Sequence, residues 1–287
     1  MASDTTGFSG DLSRRQVLVT ALGSGFALAT LPVAAQTIAT NDDGLEAGEV
    51  KIPTAWGDIP AYRALPKQGK RHALMLVIQE IFGVHEHIKD VCRRLAKRGY
   101  FAIAPELFAR QGDVSKLADV AEIRKIVALV PDAQVLSDLD ACVAWAKGTE
   151  RADAEKLGIT GFCWGGRITW LYAAHSSALR AGVAWYGRLT GDKNHHTPQH
   201  PIDLASKLNA PVLGLYGEED QAIPVASVKE MEAALKAGSQ AARRSQIKLY
   251  PQAGHAFFAD YRPTYRKHAA DDGYKRMLSW FAANGVT

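Results

Sequence analysis

From residue 49 onward, short unbroken runs of apolar residues alternate with longer stretches in which apolar residues return every three or four positions. The first kind predicts buried strands and the second amphipathic helices. Residues 49–55 and 59–65, on either side of Trp56-Gly57-Asp58, predict a β-hairpin. Residues 73–79 predict a strand, 84–98 a helix closed by Gly99, and 100–104 the next strand. Helical patterns over 115–129 and 132–147 are separated by Pro131. Strand 157–162, helix 165–175, strands 181–186 and 211–216, helix 225–237, strand 246–250 and a closing helix 265–281 follow. Apolar strands alternating with helices predict an α/β fold: a mainly parallel central sheet with helices on both faces.

Residues 1–35 break this pattern. Arg14-Arg15 precede a moderately apolar run containing Gly23 and Gly25, which ends in Val33-Ala34-Ala35. That layout predicts a twin-arginine signal peptide cleaved after Ala35, hence a periplasmic or secreted protein whose one export partner is the twin-arginine transport machinery. A retained membrane anchor is the alternative. Gly, Thr and Pro32 make the run a poor span, so no stable membrane association is expected after cleavage. Residues 36–48 predict a polar, loosely ordered segment, leaving 49–287 as one catalytic domain.

Composition narrows the class. The chain of 287 residues is 47% hydrophobic with a formal net charge of +4. The charge is too mild, and too little interleaved with aromatics, to predict nucleic-acid binding, but it is compatible with an anionic small substrate. Cys92, Cys142 and Cys163 are odd in number and widely spaced, so they do not form a disulfide framework. The first two fall in apolar helical patterns and read as buried thiols. His195, His196 and His200 crowd one loop, but no carboxylate is spaced to complete a metal set; His85 and His87 read as cleft-lining.

Candidate chemistry centres on Gly161-Phe162-Cys163-Trp164-Gly165-Gly166, between a strand and a helix. This is the G-x-S-x-G nucleophile elbow of the α/β-hydrolase fold with cysteine in the serine position. The turn lifts Cys163 clear of the sheet, and the helix that follows presents its positive end to the sulfur. In this fold the acid and the histidine follow on loops after later strands. Gly217-Glu218-Glu219-Asp220 supplies the acid, Asp220 with Glu219 as the alternative, and Gly254-His255 supplies the base. The triad Cys163, Asp220 and His255 fits nucleophilic cleavage of a lactone or ester through a thioester, with no cofactor and no metal.

The sequence also resembles the dienelactone hydrolase family, the carboxymethylenebutenolidases. The likeness rests on the cysteine elbow, Gln79-Glu80-Ile81-Phe82-Gly83, Pro105-Glu106-Leu107-Phe108-Ala109-Arg110, residues 217–220, Gly254-His255-Ala256-Phe257 and Ala259-Asp260-Tyr261-Arg262-Pro263. The resemblance implies that Glu80 lies beside the nucleophile, holding the resting thiol and moving aside for substrate. It implies an oxyanion hole made by the backbone N–H groups of Ile81 and Trp164, and a small carboxylate-bearing lactone as substrate. Arg110 and Arg262, on loops at the same end of the sheet, are the candidates to bind that carboxylate. In one respect the chain departs from members specialised for dienelactone, which place an arginine four residues after the catalytic histidine: here that position is Ala259. A thiol-dependent esterase of other specificity, or a non-catalytic binding protein on the same scaffold, are the alternatives.

Overall fold

The computed structural model describes residues 38–287; the expected export signal lies outside them. Strands β1 (Leu45–Ile52) and β2 (Ile59–Pro66) pair antiparallel with Ile52 opposite Ile59. The hairpin is the expected one, but β1 starts earlier than residue 49. The chain before it is not loose either. The Thr40 N–H donates to Asp90 Oδ1 at 2.5 Å, Arg93 Nε donates to the Thr40 carbonyl at 2.8 Å, and Lys97 Nζ reaches the Asp43 carbonyl at 2.6 Å. Asp90 is fully buried on helix α1 (Glu86–Ala96), and a buried carboxylate must find donors. The segment expected to be disordered supplies one of them.

Beyond the hairpin come β3 (His72–Ile78), α1, β4 (Phe101–Pro105), α2 (Val120–Ala128), α3 (Asp132–Gly148), β5 (Ala152–Phe162) and α4 (Trp164–His175). Then follow β6 (Leu179–Trp185), the short α5 (Pro201–Leu204), β7 (Val212–Gly217), α6 (Val225–Lys236), the short α7 (Gln240–Arg244), β8 (Gln246–Tyr250) and α8 (Lys267–Ala283). Among the described residues these strands form one sheet in the order β1-β2-β4-β3-β5-β6-β7-β8, antiparallel at the β1-β2-β4 end and parallel from β4 onward.

Leu74 through Ile78 are completely buried, as expected of a central strand covered on both faces. Helix α1 packs on β2 and β4, α4 on β5 and β6, and α8 on β6 and β7. Two departures from the apolar pattern have local causes. Residues 115–129 form a 3-10 turn (Val114–Lys116) and then α2, because Asp119 Oδ1 accepts the Ala121 N–H at 2.8 Å and starts a new helix. Helices α5 and α7 are too short for an apolar repeat to register. No described helix is long and apolar enough to cross a membrane.

Candidate active site

The turn between β5 and α4 leaves Cys163 at φ +54°, ψ −112°, a conformation a residue with a Cβ adopts only when its surroundings impose it. Its N–H donates to the Trp185 carbonyl at 3.0 Å, and its own carbonyl accepts from the amides of Gly166 and Arg167 at 3.0 and 3.2 Å. A Cβ on Gly161 would overlap the Gly165 carbonyl, and one on Gly165 would come within 2.5 Å of the Gln79 and Ile78 carbonyl oxygens. Glycine on both sides of the nucleophile is therefore what lets strand and helix meet. The cysteine is only partly buried, whereas Cys92 and Cys142 are fully buried, and all three are unpaired.

Loops after β7 and β8 bring the other two triad residues together. His255 Nδ1 lies 2.8 Å from Asp220 Oδ2, while Asp220 Oδ1 accepts the amides of Ala222 and Ile223 at 2.9 and 3.2 Å. The loop that opens α6 thus fixes the carboxylate that fixes the imidazole. Asp220 is buried; Glu219 is exposed and makes no contact with His255. Burial by itself would make His255 less basic. The neighbouring Cys163 and the hydrogen bond with Asp220 outweigh it and raise the imidazole pKa to about 10.

Strands β3 and β5 are neighbours with Ile78 opposite Gly161, which places the loop after β3 next to the elbow. Glu106 braces that loop, Oε1 accepting from Gln79 Nε2 at 3.0 Å and Oε2 from the Val84 N–H at 2.7 Å. Glu80 is 1% exposed and, among the described residues, is held not by Cys163 but by the Tyr261 hydroxyl, which donates to its Oε2 at 2.5 Å. His85 Nε2 lies 3.5 Å from the same oxygen, a loose contact that leaves both His85 nitrogens without a hydrogen-bond partner. Burial opposes the Glu80 charge, but Arg262, followed by His85 and His87, holds the carboxyl well below its usual range. His87 is engaged elsewhere: its Nδ1 is 3.0 Å from Asp260 Oδ1, and Arg94 donates to Asp260 Oδ2 at 2.5 Å.

The two candidate arginines differ. Arg262 is part of the cluster: its guanidinium lies 4.8 Å from the Phe82 ring centroid and 5.6 Å from that of Tyr261, its Nε has no partner, and its charge acts on Glu80 and Cys163. Arg110 is committed to buried Asp138 on α3; it also donates to Thr54 Oγ1 at 3.3 Å and covers the exposed Trp56 ring at 5.7 Å. None of these contacts connects it to the triad. Ile81 follows Glu80 on the loop after β3, and Trp164 opens α4, where an amide has no intrahelical acceptor. His200 is spent on Arg167 and the Asp192 carbonyl, and no described group of His, Cys, Asp or Glu is arranged to hold a metal. Two residues with no role assigned from the sequence stand in the site, Tyr261 on Glu80 and Tyr186, whose ring centroid is 5.2 Å from that of His255.

A cysteine elbow after the parallel strand β5, with an acid on the loop after β7 and a histidine on the loop after β8, defines an α/β hydrolase. The chain belongs to the dienelactone hydrolase family, whose sequence model matches residues 59–285. A Methylorubrum extorquens protein named "Putative carboxymethylenebutenolidase" is 62% identical over 288 residues, covering 100% of this chain and 96% of its own. One of the same name from Escherichia coli K12 is 53% identical, covering 93% and 98%. A Klebsiella pneumoniae crystal structure of a "Putative Dienelactone Hydrolase" is 54% identical with a TM-score of 0.80, covering 83% of this chain and 98% of that one. The protein is a dienelactone hydrolase-like hydrolase.

Proposed function

We propose that the enzyme opens a carboxylate-bearing lactone or ester by Cys-His-Asp nucleophilic catalysis through a thioester. The observation that carries this reading is a strained, partly exposed Cys163 at the elbow together with a His255 held by buried Asp220 at 2.8 Å.

The Cys163 thiolate adds to the substrate carbonyl, and the amides of Ile81 and Trp164 receive the oxyanion. Collapse breaks the carbonyl carbon–oxygen bond of the lactone or ester, and the imidazolium of His255 gives its proton to the departing oxygen. Neutral His255 then takes a proton from water as that water adds to the thioester. The second tetrahedral intermediate expels the thiolate, releases the acid and restores the imidazolium. Asp220 fixes the imidazole tautomer and steadies its charge throughout. No cofactor takes part.

Arg262 is the favoured site for a substrate carboxylate, because its charge faces the triad and no hydrogen bond or ion pair of its guanidinium occurs among the described residues. A carboxylate arriving there competes with Glu80 for the same charge, which gives Glu80 a reason to shift on binding. Arg110, held by Asp138 and Thr54, is not part of this carboxylate site. Export by the twin-arginine route before catalysis remains part of the proposal.

The test is a substrate panel of matched lactones and esters with and without a carboxylate, using Cys163→Ala as the blank. Arg262→Ala should raise KM for the acidic members about tenfold or more, the loss of one charge-assisted contact, and leave the neutral ones nearly unchanged. Equal losses on both would refute carboxylate recognition by Arg262.

A further inference from the structure

Tyr186 follows β6 with its side chain completely buried and its hydroxyl without a hydrogen-bond partner among the described residues. A buried phenol normally finds a partner, since leaving one unmade forfeits its hydration for nothing. The backbone beneath it is strained as well, at φ +38°, and is held there by its own N–H donating to the Leu215 carbonyl at 2.8 Å. The ring is clamped edge-on against His255 and Phe257, centroids 5.2 and 5.3 Å away, and cannot turn to look for another acceptor. Packed on His255 and completely buried, it belongs to the same cluster as Glu80, Tyr261, Arg262 and Cys163, all of which act on it electrostatically.

Sheet order says on which side. Strand β5 carries the nucleophile between β3 and β6. The oxyanion donor Ile81 follows β3, whereas Tyr186 follows β6, on the flank toward β7 and β8 from which Asp220 and His255 come. An oxygen leaving the acyl carbon must lie on that flank to collect its proton from His255. Resting on the Cys-His-Asp reading above, we propose that the Tyr186 hydroxyl is a catalytic hydrogen-bond donor to the leaving-group oxygen of the bound lactone or ester. It stabilises the negative charge that builds there as the carbon–oxygen bond breaks, and His255 supplies the proton that stays. Burial, then the charge of Glu80, keeps Tyr186 protonated well above the usual phenol range, so its hydroxyl has a proton to donate.

The experiment compares wild type and Tyr186→Phe on acyl-matched substrates whose leaving groups differ: a p-nitrophenyl ester, an alkyl ester and a saturated lactone. A p-nitrophenolate leaves without help; an alkoxide does not. We expect kcat/KM of Tyr186→Phe to fall about 10- to 100-fold for the alkyl ester and the lactone, the scale of a lost transition-state donor, and less than about threefold for the aryl ester. Alkylation of Cys163 by iodoacetamide should be unchanged, and the melting temperature should hold or rise because the unpartnered hydroxyl is gone. Equal losses across all leaving groups, no loss on the alkyl ester, or a melting temperature lowered by several degrees would overturn the proposal. Acylation of Cys163 by the aryl ester, followed by intact mass, separates the two readings. A wild type that never acylates overturns both, whereas a wild type that acylates beside a variant with no leaving-group dependence overturns only the role of Tyr186.

Discussion

Replacing Arg262 should destabilise the fold through Glu80, and the size of the effect can be worked out. Glu80 is 1% exposed, and among the described residues Arg262 makes no ion pair within 4.0 Å of it. The two charges are therefore more than 4.0 Å apart, and since a unit-charge pair at about 4 Å and an effective dielectric constant of about 20 interacts by roughly 4 kcal/mol, their coupling is about 3 kcal/mol. The folded-state pKa of Glu80 is depressed, so its stabilisation is present above the unfolded value of about 4.3 and is lost as pH falls through the folded value. Arg262→Ala should therefore lower the unfolding free energy at pH 7 by about 3 kcal/mol in the Glu80 background and by far less in Glu80→Gln. The assay is urea unfolding of the four proteins of that double-mutant cycle. Their coupling should be about 3 kcal/mol at pH 7 and shrink as the buffer is taken below about pH 4. A coupling below about 0.5 kcal/mol at pH 7, or one that does not change with pH, would refute the claim that Arg262 is the counter-charge of Glu80.

Other outcomes follow from the same geometry. Asp220→Asn should cut kcat by about three to four orders of magnitude. Because the raised His255 pKa stabilises the fold fully below about 6.5 and loses that contribution as pH rises through about 10, the variant's melting temperature should fall by less than that of wild type over this range and level off at lower pH; identical profiles would contradict the pairing. Arg110→Ala strands the buried carboxylate of Asp138 and should cost about 3–5 kcal/mol in urea unfolding, whereas a loss under about 1 kcal/mol would show the pair to be dispensable. Arg14→Lys together with Arg15→Lys should leave precursor in the cytoplasm on fractionation, and export of the doubly changed chain would rule out the twin-arginine route.

Each member of the proposed triad is announced locally in the sequence. Cys163 lies in a strand–turn–helix with small residues two places either side, and Asp220 and His255 end the runs that become β7 and β8. Sheet class was legible for a similar reason, since apolar runs such as 73–79 survive intact as buried strands. What was not legible depends on contacts between distant residues. Tyr261 reaches Glu80 across 181 positions, and Tyr186 acquires its environment from loops after β3, β5 and β8. Arg110 read as a cleft residue because Asp138 looks like an ordinary acid in an amphipathic helix, yet the fold buries Asp138 and draws the guanidinium to it. The polar residues just after position 37 read as disordered because buried Asp90 and its demand for donors could not be foreseen from helix α1 alone.

The central claim is that the acyl group passes through the sulfur of Cys163. Rapid acid quench of the enzyme with an aryl ester, followed by intact mass and peptide mapping, tests it most directly. Wild type should carry one acyl adduct located on Cys163 and released by hydroxylamine, and Cys163→Ala should carry none and have lost turnover. Undiminished turnover in Cys163→Ala, or an adduct on any other residue, would contradict the account.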